Sequence, residues 1–244
     1  MLIVGLTGGI GTGKSTVSQY LQHKHRLQVV DADLIARQVV EPGQQAYNQI
    51  VDTFSAEVPD LVNRDDKTLN RPSLGRAVFG KKDKLKKLNS IVHPAVRKAI
   101  IYQILKAYIQ LQDMVVLDVP LLFESGLDRV CGVTLTVSCP KSLQIERLKS
   151  RNPELSEEDS SRRIESQMSN DERNFRADLV INNDKSKQEL ERDIESVLRE
   201  IRPSKICTIV EYIPFFGILA ALITFVMRLS RDKFKGSKSY KKID

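Results

Sequence analysis

Apolar positions along the chain follow two rhythms. Short unbroken runs rich in branched residues occur at 2–7, 114–118 and 133–138, with weaker runs at 27–30 and 179–181. Such runs suit parallel strands buried on both faces. Between them the spacing turns helical. A helix is predicted over 15–23, directly behind the first run. Over 86–111 apolar residues recur at 88, 91, 92, 95, 96, 99, 100, 104 and 108, with a break expected near Pro94. Leu190, Ile194, Val197, Leu198 and Ile201 make a one-sided stripe on a further helix. Strands alternating with helices predict an α/β chain with a doubly wound, five-stranded parallel sheet. Residues 40–112 hold helical patterns and no convincing strand, so they read as a helical insertion between the second and third strands. Residues 151–176 are dense in charge and poor in apolar anchors, which suits either a solvated helical face or a mobile, arginine-bearing lid.

Composition narrows the class. The chain has 244 residues, 41% hydrophobic and 28% charged, as an ordinary globular protein does. Cys131, Cys139 and Cys207 are odd in number and include no CxxC pair, which excludes a zinc ribbon or disulfide scaffold and favours a reducing compartment. The net charge of +7 invites a nucleic-acid partner, but the last 17 residues hold seven Lys/Arg and two Asp and so carry +5 of it. With no Trp and 6% aromatics, the body lacks the stacking platforms and basic stripe of a nucleic-acid binder, and none is expected as a partner. Lys14 is the single charge in the first 15 residues, so neither a secretory signal nor an Arg-rich presequence is expected, and an intracellular, cytosol-facing location is.

The chemistry is concentrated at the ends of the predicted strands. Gly8, Gly9, Ile10, Gly11, Thr12, Gly13, Lys14 and Ser15 match the phosphate-binding pattern G-x-x-x-x-G-K-[ST] at every fixed position. Glycines let backbone N–H groups turn toward phosphate oxygens, and the following helix adds its positive end. Lys14, expected on an exposed loop, can reach the β- and γ-phosphates, and the Ser15 hydroxyl can serve Mg²⁺. The third strand ends Asp118-Val119-Pro120, without the D-x-x-G switch of a GTPase, so a small-molecule kinase is favoured and the charged segment 151–176 reads as its lid. Asp31 and Asp33 follow the second strand. Asp31 suits either a helix cap or a functional acid, whereas Asp33 is placed to orient or deprotonate an acceptor hydroxyl. Asp118 after four apolar residues is a Walker-B-like acid for Mg²⁺ or for the acceptor, or else an ordinary turn acid before Pro120.

LTGGIGTGKST (6–16), DADLIARQVVEPG (31–43), His93-Pro94, DVPLLFE (118–124), ERLKSRN (146–152), RIESQMSNDER (163–173) and ADLVINN (177–183) together resemble the dephospho-CoA kinase family, over residues 1 to about 203. The resemblance implies a P-loop kinase fold that uses ATP and Mg²⁺ to phosphorylate the ribose 3′-hydroxyl of dephospho-CoA, giving CoA and ADP in the last step of CoA synthesis. It implies a core at 1–39, 113–150 and 177–203, a CoA-binding insertion at 40–112 and a lid at 151–176, without a fused adenylyltransferase. ATP contacts then fall on Gly8 to Ser15 and on Thr16, the catalytic base on Asp33, and the second acidic motif on Asp118. Arg147 and Arg151 match lid-side arginines suited to ATP and to the transferring phosphoryl group. Gln167, Arg173 and Asn183 occupy further family positions. His93 reads as a helix start with Pro94 at its first position, and Arg97 as a substrate-phosphate contact or a surface arginine. Two competing readings are another P-loop small-molecule kinase of the nucleoside type and a membrane-attached scaffold of a CoA-synthesising complex. The run 31–43 argues against the first, and retention of Lys14, Ser15 and Asp33 against the second.

Beyond Pro203 the chain leaves the family pattern. Residues 212–227 carry no charge and precede the basic tail, so 206–244 forms a candidate membrane anchor. Sixteen residues fall short of the roughly 20 of a full span. A short tail anchor in the mitochondrial outer membrane or endoplasmic reticulum, an interfacial helix on anionic lipid, and a helix packed on the kinase body are the three readings. Other CoA-pathway enzymes are candidate partners.

Overall fold

The computed structural model describes residues 1–238; the last six residues of the predicted basic tail lie outside the described residues. Five strands, β1 (Leu2–Gly8), β2 (Gln28–Asp31), β3 (Met114–Asp118), β4 (Val133–Ser138) and β5 (Leu179–Asn182), form one sheet in the order β2-β3-β1-β4-β5. β1 pairs in parallel with β3 and β4, and β4 with β5. Because β1 lies between β3 and β4, the chain crosses from one side of it to the other. In such sheets that switch point, at the C-terminal strand edge, is where ligands bind.

Contacts divide the chain into two compact units, Met1–Val29 with Ala107–Asp244, and Val30–Lys106. In the first unit, helices α1 (Lys14–His25) and α9 (Lys187–Ile201) cover one sheet face. Val17, Leu21, Leu190, Ile194 and Leu198 meet Val4, Leu6, Val116, Leu135, Val137 and Ile181 there, all 9% exposed or less. α9 begins with a reciprocal cap between Ser186 and Glu189. α1 ends with His23, Lys24 and His25 beside its carbonyl end, where positive charge is favoured.

Helices α6 (Lys141–Arg151), α7 (Glu157–Glu165) and α8 (Asn170–Arg176) carry the segment from β4 to β5. α7 and α8 have little apolar surface to hold them. Ser156 and Ser169 cap their first turns, which also carry Glu157, Glu158 and Asp159, and Asp171 and Glu172. Caps and dipole-matched charges thus do what an apolar stripe does elsewhere.

The second unit contains α2 (Ala32–Gln38), α3 (Gln45–Phe54), α4 (Arg71–Val78) and α5 (Lys82–Ile109) up to residue 106. Its own core is Ile50, Phe54, Val58, Leu61, Leu69, Leu74 and Val78. An isolated bridge, Val62 to Leu69, stands outside the strands. The expected break at Pro94 does not occur, and His93 is no helix start: α5 runs unbroken for 28 residues. Pro94 removes one helical N–H donor, and the carbonyl it leaves without that donor, that of Ser90, lies on the wet side of the helix, where Ser90, His93 and Pro94 are all exposed. Ile91 and Val92 pack against the core on one side of the proline, and Ile100, 1% exposed, is buried on the other.

The C-terminal extension folds back onto the first unit as α10 (Lys205–Glu211) and α11 (Pro214–Lys238). The Met1 ammonium pairs with Glu211, the Tyr108 hydroxyl donates to Glu211 O at 3.0 Å, and the Tyr212 hydroxyl donates to Gln112 O at 2.5 Å. Farther along, Arg228 is buried. Its Nε donates to Cys131 O at 3.0 Å and its Nη2 to Gly132 O at 2.7 Å and Asp178 Oδ2 at 2.5 Å. This corrects the membrane-spanning reading of 206–244. Among the described residues no helix is long and apolar enough to cross a membrane, and the charge that ends the apolar run is turned into the body.

Candidate active site

The loop between β1 and α1 folds because its glycines accept what other residues resist. Gly11 and Gly13 have φ of 77° and 91°, the left-handed region. At Gly13, the N-cap of α1, a Cβ would also collide with the Asn183 side-chain amide. Thr12 closes the turn: its N–H and hydroxyl both donate to Gly9 O, at 3.2 and 2.8 Å.

Arg147, on α6, reaches the loop from behind. Its Nη1 donates to Gly11 O and Thr12 O at 3.3 Å each, and its Nη2 to Asn183 O at 2.9 Å. Asn183, just past β5, donates from Nδ2 to Thr12 O at 2.8 Å, and its backbone N–H donates to Ser138 O at 2.7 Å. The Thr12 carbonyl therefore receives two donors, one of them charged. Its peptide carries the Gly13 N–H at the start of α1, and loading the oxygen makes that N–H a stronger donor to an anion.

Lys14 is not on an exposed loop, as expected from the sequence. Its Nζ pairs with Asp118 Oδ1 at 2.5 Å, with side-chain exposures of 16% and 5%. Asp118 ends β3, in register with Leu6 of β1. Ser15 and Thr16, in the first turn of α1, are exposed. The Ser15 hydroxyl and the Asp118 carboxylate are hard oxygen donors of the kind Mg²⁺ takes. Among the described residues no group of three or more His, Cys, Asp or Glu could hold a metal. A hard ion here would thus draw its other ligands from nucleotide phosphates and water.

The family model described as dephospho-CoA kinase matches residues 2–189. The chain belongs to the dephospho-CoA kinase family. Its reaction is the ATP-dependent phosphorylation of dephospho-CoA that completes CoA biosynthesis. Among relatives, Dephospho-CoA kinase CAB5 of Saccharomyces cerevisiae is 52% identical over 239 residues, 98% of this chain and 99% of that one. A dephospho-CoA kinase of Oceanobacillus iheyensis is 45% identical over 82% of this chain and 97% of its own. The solved dephospho-CoA kinase from Campylobacter jejuni superposes with a TM-score of 0.62 at 27% identity, covering 82% of this chain and 96% of its own.

Of the family positions read from the sequence, the first unit brings together the loop from Gly8 to Thr16, Asp118, Arg147 and Asn183. Arg151 is exposed at the last turn of α6. In the second unit Asp31 is a cap: its Oδ1 accepts from Asp33 N and Leu34 N at 2.9 and 3.0 Å. Asp33 is exposed in the first turn of α2, and Arg97 is exposed on α5. Sequence reasoning missed Gln144, which no quoted motif covers, and gave no role to Asn170, which lies within the run 163–173; their side chains bond at the back of the loop. Cys139, just past β4, lies with its thiol 3.9 Å from Gly11 O, and burial pushes that thiol's pKa up, so it stays protonated there.

Proposed function

We propose that this dephospho-CoA kinase works through the following division of labour. The peptides of Gly11 to Ser15 donate to the ATP phosphates, and Lys14 moves from Asp118 to the β- and γ-phosphates when nucleotide arrives. Arg147 holds the loop carbonyls, and Arg151 meets the nucleotide from α6. Ser15 and Asp118 would hold Mg²⁺, which would supply charge neutralisation at the phosphates. The second unit binds dephospho-CoA, with Arg97 on a substrate phosphate. The ribose 3′-oxygen attacks the γ-phosphorus, and the bond from that phosphorus to the β–γ bridging oxygen breaks with its electron pair leaving on ADP. Asp33 takes the hydroxyl proton. Phosphoryl transfer needs positioning and charge neutralisation above all, and the Lys14–Asp118 pair is the observation that carries this reading. It keeps a cation and an acid adjacent at the mouth of the loop, so that phosphate can take the cation and leave the acid to a metal ion. The test is CoA formation from ATP, Mg²⁺ and dephospho-CoA by wild type and Asp33→Asn. The variant should lose roughly 10²-fold in kcat with ATP affinity nearly intact; unchanged kcat with lowered stability refutes the base assignment.

For the extension, we propose that α11 lies on an anionic lipid surface. Its outward residues are apolar and wet: Phe215 is 71% exposed, Ile218 64%, Leu222 57% and Val226 58%. The sequence continues with Arg231, Lys233, Lys235, Lys238, Lys241 and Lys242, a charge complement to acidic headgroups at about 1 kcal/mol each. Sedimentation with vesicles of neutral lipid, alone or with phosphatidylserine, tests it. Binding that needs the acidic lipid and weakens in salt supports the reading. No binding, or self-association of the chain through α11, overturns it.

A further inference from the structure

Ile10, inside the phosphate loop, has both of its peptide groups held by side chains from other elements. Its N–H donates to Gln167 Oε1 at 2.9 Å, and its carbonyl accepts from Gln144 Nε2 at 2.6 Å. Gln144 Oε1 accepts in turn from Asn170 Nδ2 at 2.9 Å, a nitrogen that also donates to Cys139 O at 3.0 Å. Asn170 Oδ1 accepts from Arg173 Nη1 at 3.0 Å, and Arg173 Nη2 donates to Met168 O at 2.7 Å. Gln144 and Arg173 are each 1% exposed. The loop passes so close that a Cβ at Gly9 would stand 3.0 Å from Gln144 Nε2 and 3.1 Å from Arg173 Nη1.

The order of groups in this chain is chemically directed. An amide side chain can present either its oxygen or its nitrogen, but a guanidinium only donates. Arg173 therefore draws the Asn170 oxygen, which turns the Asn170 nitrogen to Gln144. The Gln144 oxygen meets it, and the Gln144 nitrogen is left for the Ile10 carbonyl. A buried donor-only residue at one end and the acceptor-only carbonyls of Cys139 and Ile10 at the other thus fix the sense of the Asn170 and Gln144 amides. A buried guanidinium is costly, and Arg173 Nε has no hydrogen-bond partner, so packing alone gives no reason for an arginine here. A cavity of about 680 Å³ lies along this wall, lined by Gly9, Gln144, Gln167 and Asn170 among others. On that side hydrogen bonds rather than packed side chains hold the loop.

We propose that Arg173, Asn170, Gln144 and Gln167 are positioning residues that set the two Ile10 peptides, turning the Ile10 N–H away from substrate and polarising the peptide whose N–H, that of Gly11, faces the transferred phosphoryl group. Gln167 lies in the link between α7 and α8 and Asn170 opens α8, so these bonds tie the segment 151–176 to the loop. The proposal rests on the phosphoryl-transfer reading for its kinetic consequence, not for its structural one.

The test compares Gln167→Met, which removes the acceptor at similar size, with Gln167→Glu, which keeps it. Deuterium exchange over residues 8–12 and steady-state kinetics are read on the full chain. In Gln167→Met, exchange should quicken about tenfold and kcat/KM for ATP should fall about tenfold, the effect of one lost hydrogen bond. KM for dephospho-CoA should stay within about twofold, and Tm should fall by only about 3–6 °C. In Gln167→Glu, exchange should remain within about threefold of wild type. If Gln167→Met does not fold, Gln167→Lys, a donor only, takes its place with the same expectation. Exchange unchanged without the acceptor, or quickened equally with and without it, overturns the proposal. Wild-type CoA production in the same assay tests the reaction separately, since exchange is read without turnover.

Discussion

Replacing Lys14 by Ala removes the cation of a nearly buried pair. Asp118 is 3% exposed and accepts Lys14 Nζ at 2.5 Å. At an effective dielectric of about 20, unit charges centred about 4 Å apart attract by about 4 kcal/mol. Removing one partner of such a pair costs roughly 3–5 kcal/mol, because the other charge stays buried. Asp118 keeps further interactions of its own, so the lower end, about 3 kcal/mol, is the working figure. For a chain of this size each 1 kcal/mol moves Tm by about 2–4 °C, so Lys14→Ala should melt roughly 6–12 °C below wild type. CoA formation should be lost as well, since Lys14 is the loop's only side-chain cation. The decisive comparison is Lys14→Ala/Asp118→Asn, which removes the stranded charge. It should regain most of the lost Tm and none of the activity. Calorimetry and an ADP-release assay on the three proteins suffice. A Tm for Lys14→Ala within about 1 °C of wild type, or no recovery in the double variant, would refute the claim that the pair stabilises the empty loop.

Two further outcomes follow from ion pairs remote from the loop. Arg228→Met removes the bonds from α11 to Cys131 O, Gly132 O and Asp178, so limited proteolysis should cut within 205–238 at least several-fold faster while kcat stays near wild type; equal cutting rates would show that the clamp does not hold the helix. Glu195 joins α9 to α1, and hydrogen bonds from Lys24 and then Tyr20 pull its carboxyl from 4.5 down to about 2. A pKa lowered in the folded state adds stability that is present above about 4.5 and lost as pH falls through about 2. The Tm gap between wild type and Glu195→Gln should therefore be constant above about pH 5 and close toward pH 2. A gap that widens in acid would contradict the sign.

The sequence alone determined the parts whose physics is local. The phosphate loop could be read because strand, glycines, lysine and helix lie within residues 2–25, and the spacing that binds phosphate is the spacing of one turn. Asp118 could be read because four apolar residues before an acid mark the end of a buried strand. The sheet was legible because parallel strands buried on both faces leave unbroken apolar runs. Pro94 misled because the proline rule is local, whereas its effect depends on which side of α5 faces water. The run 212–227 left three readings open because hydropathy reports that a surface is apolar and not what covers it. Arg228 meets Asp178 50 residues away, and that meeting turns a candidate span into a docked helix. Gln144 and Ile10 are 134 residues apart, and Gln167 and Ile10 157 apart. An amide far along the chain carries no mark of the peptide it will hold. Such pairs are decided only in the tertiary structure, because a hydrogen bond needs its two atoms within about 3 Å, and at that separation only the packing of every element between them sets the distance.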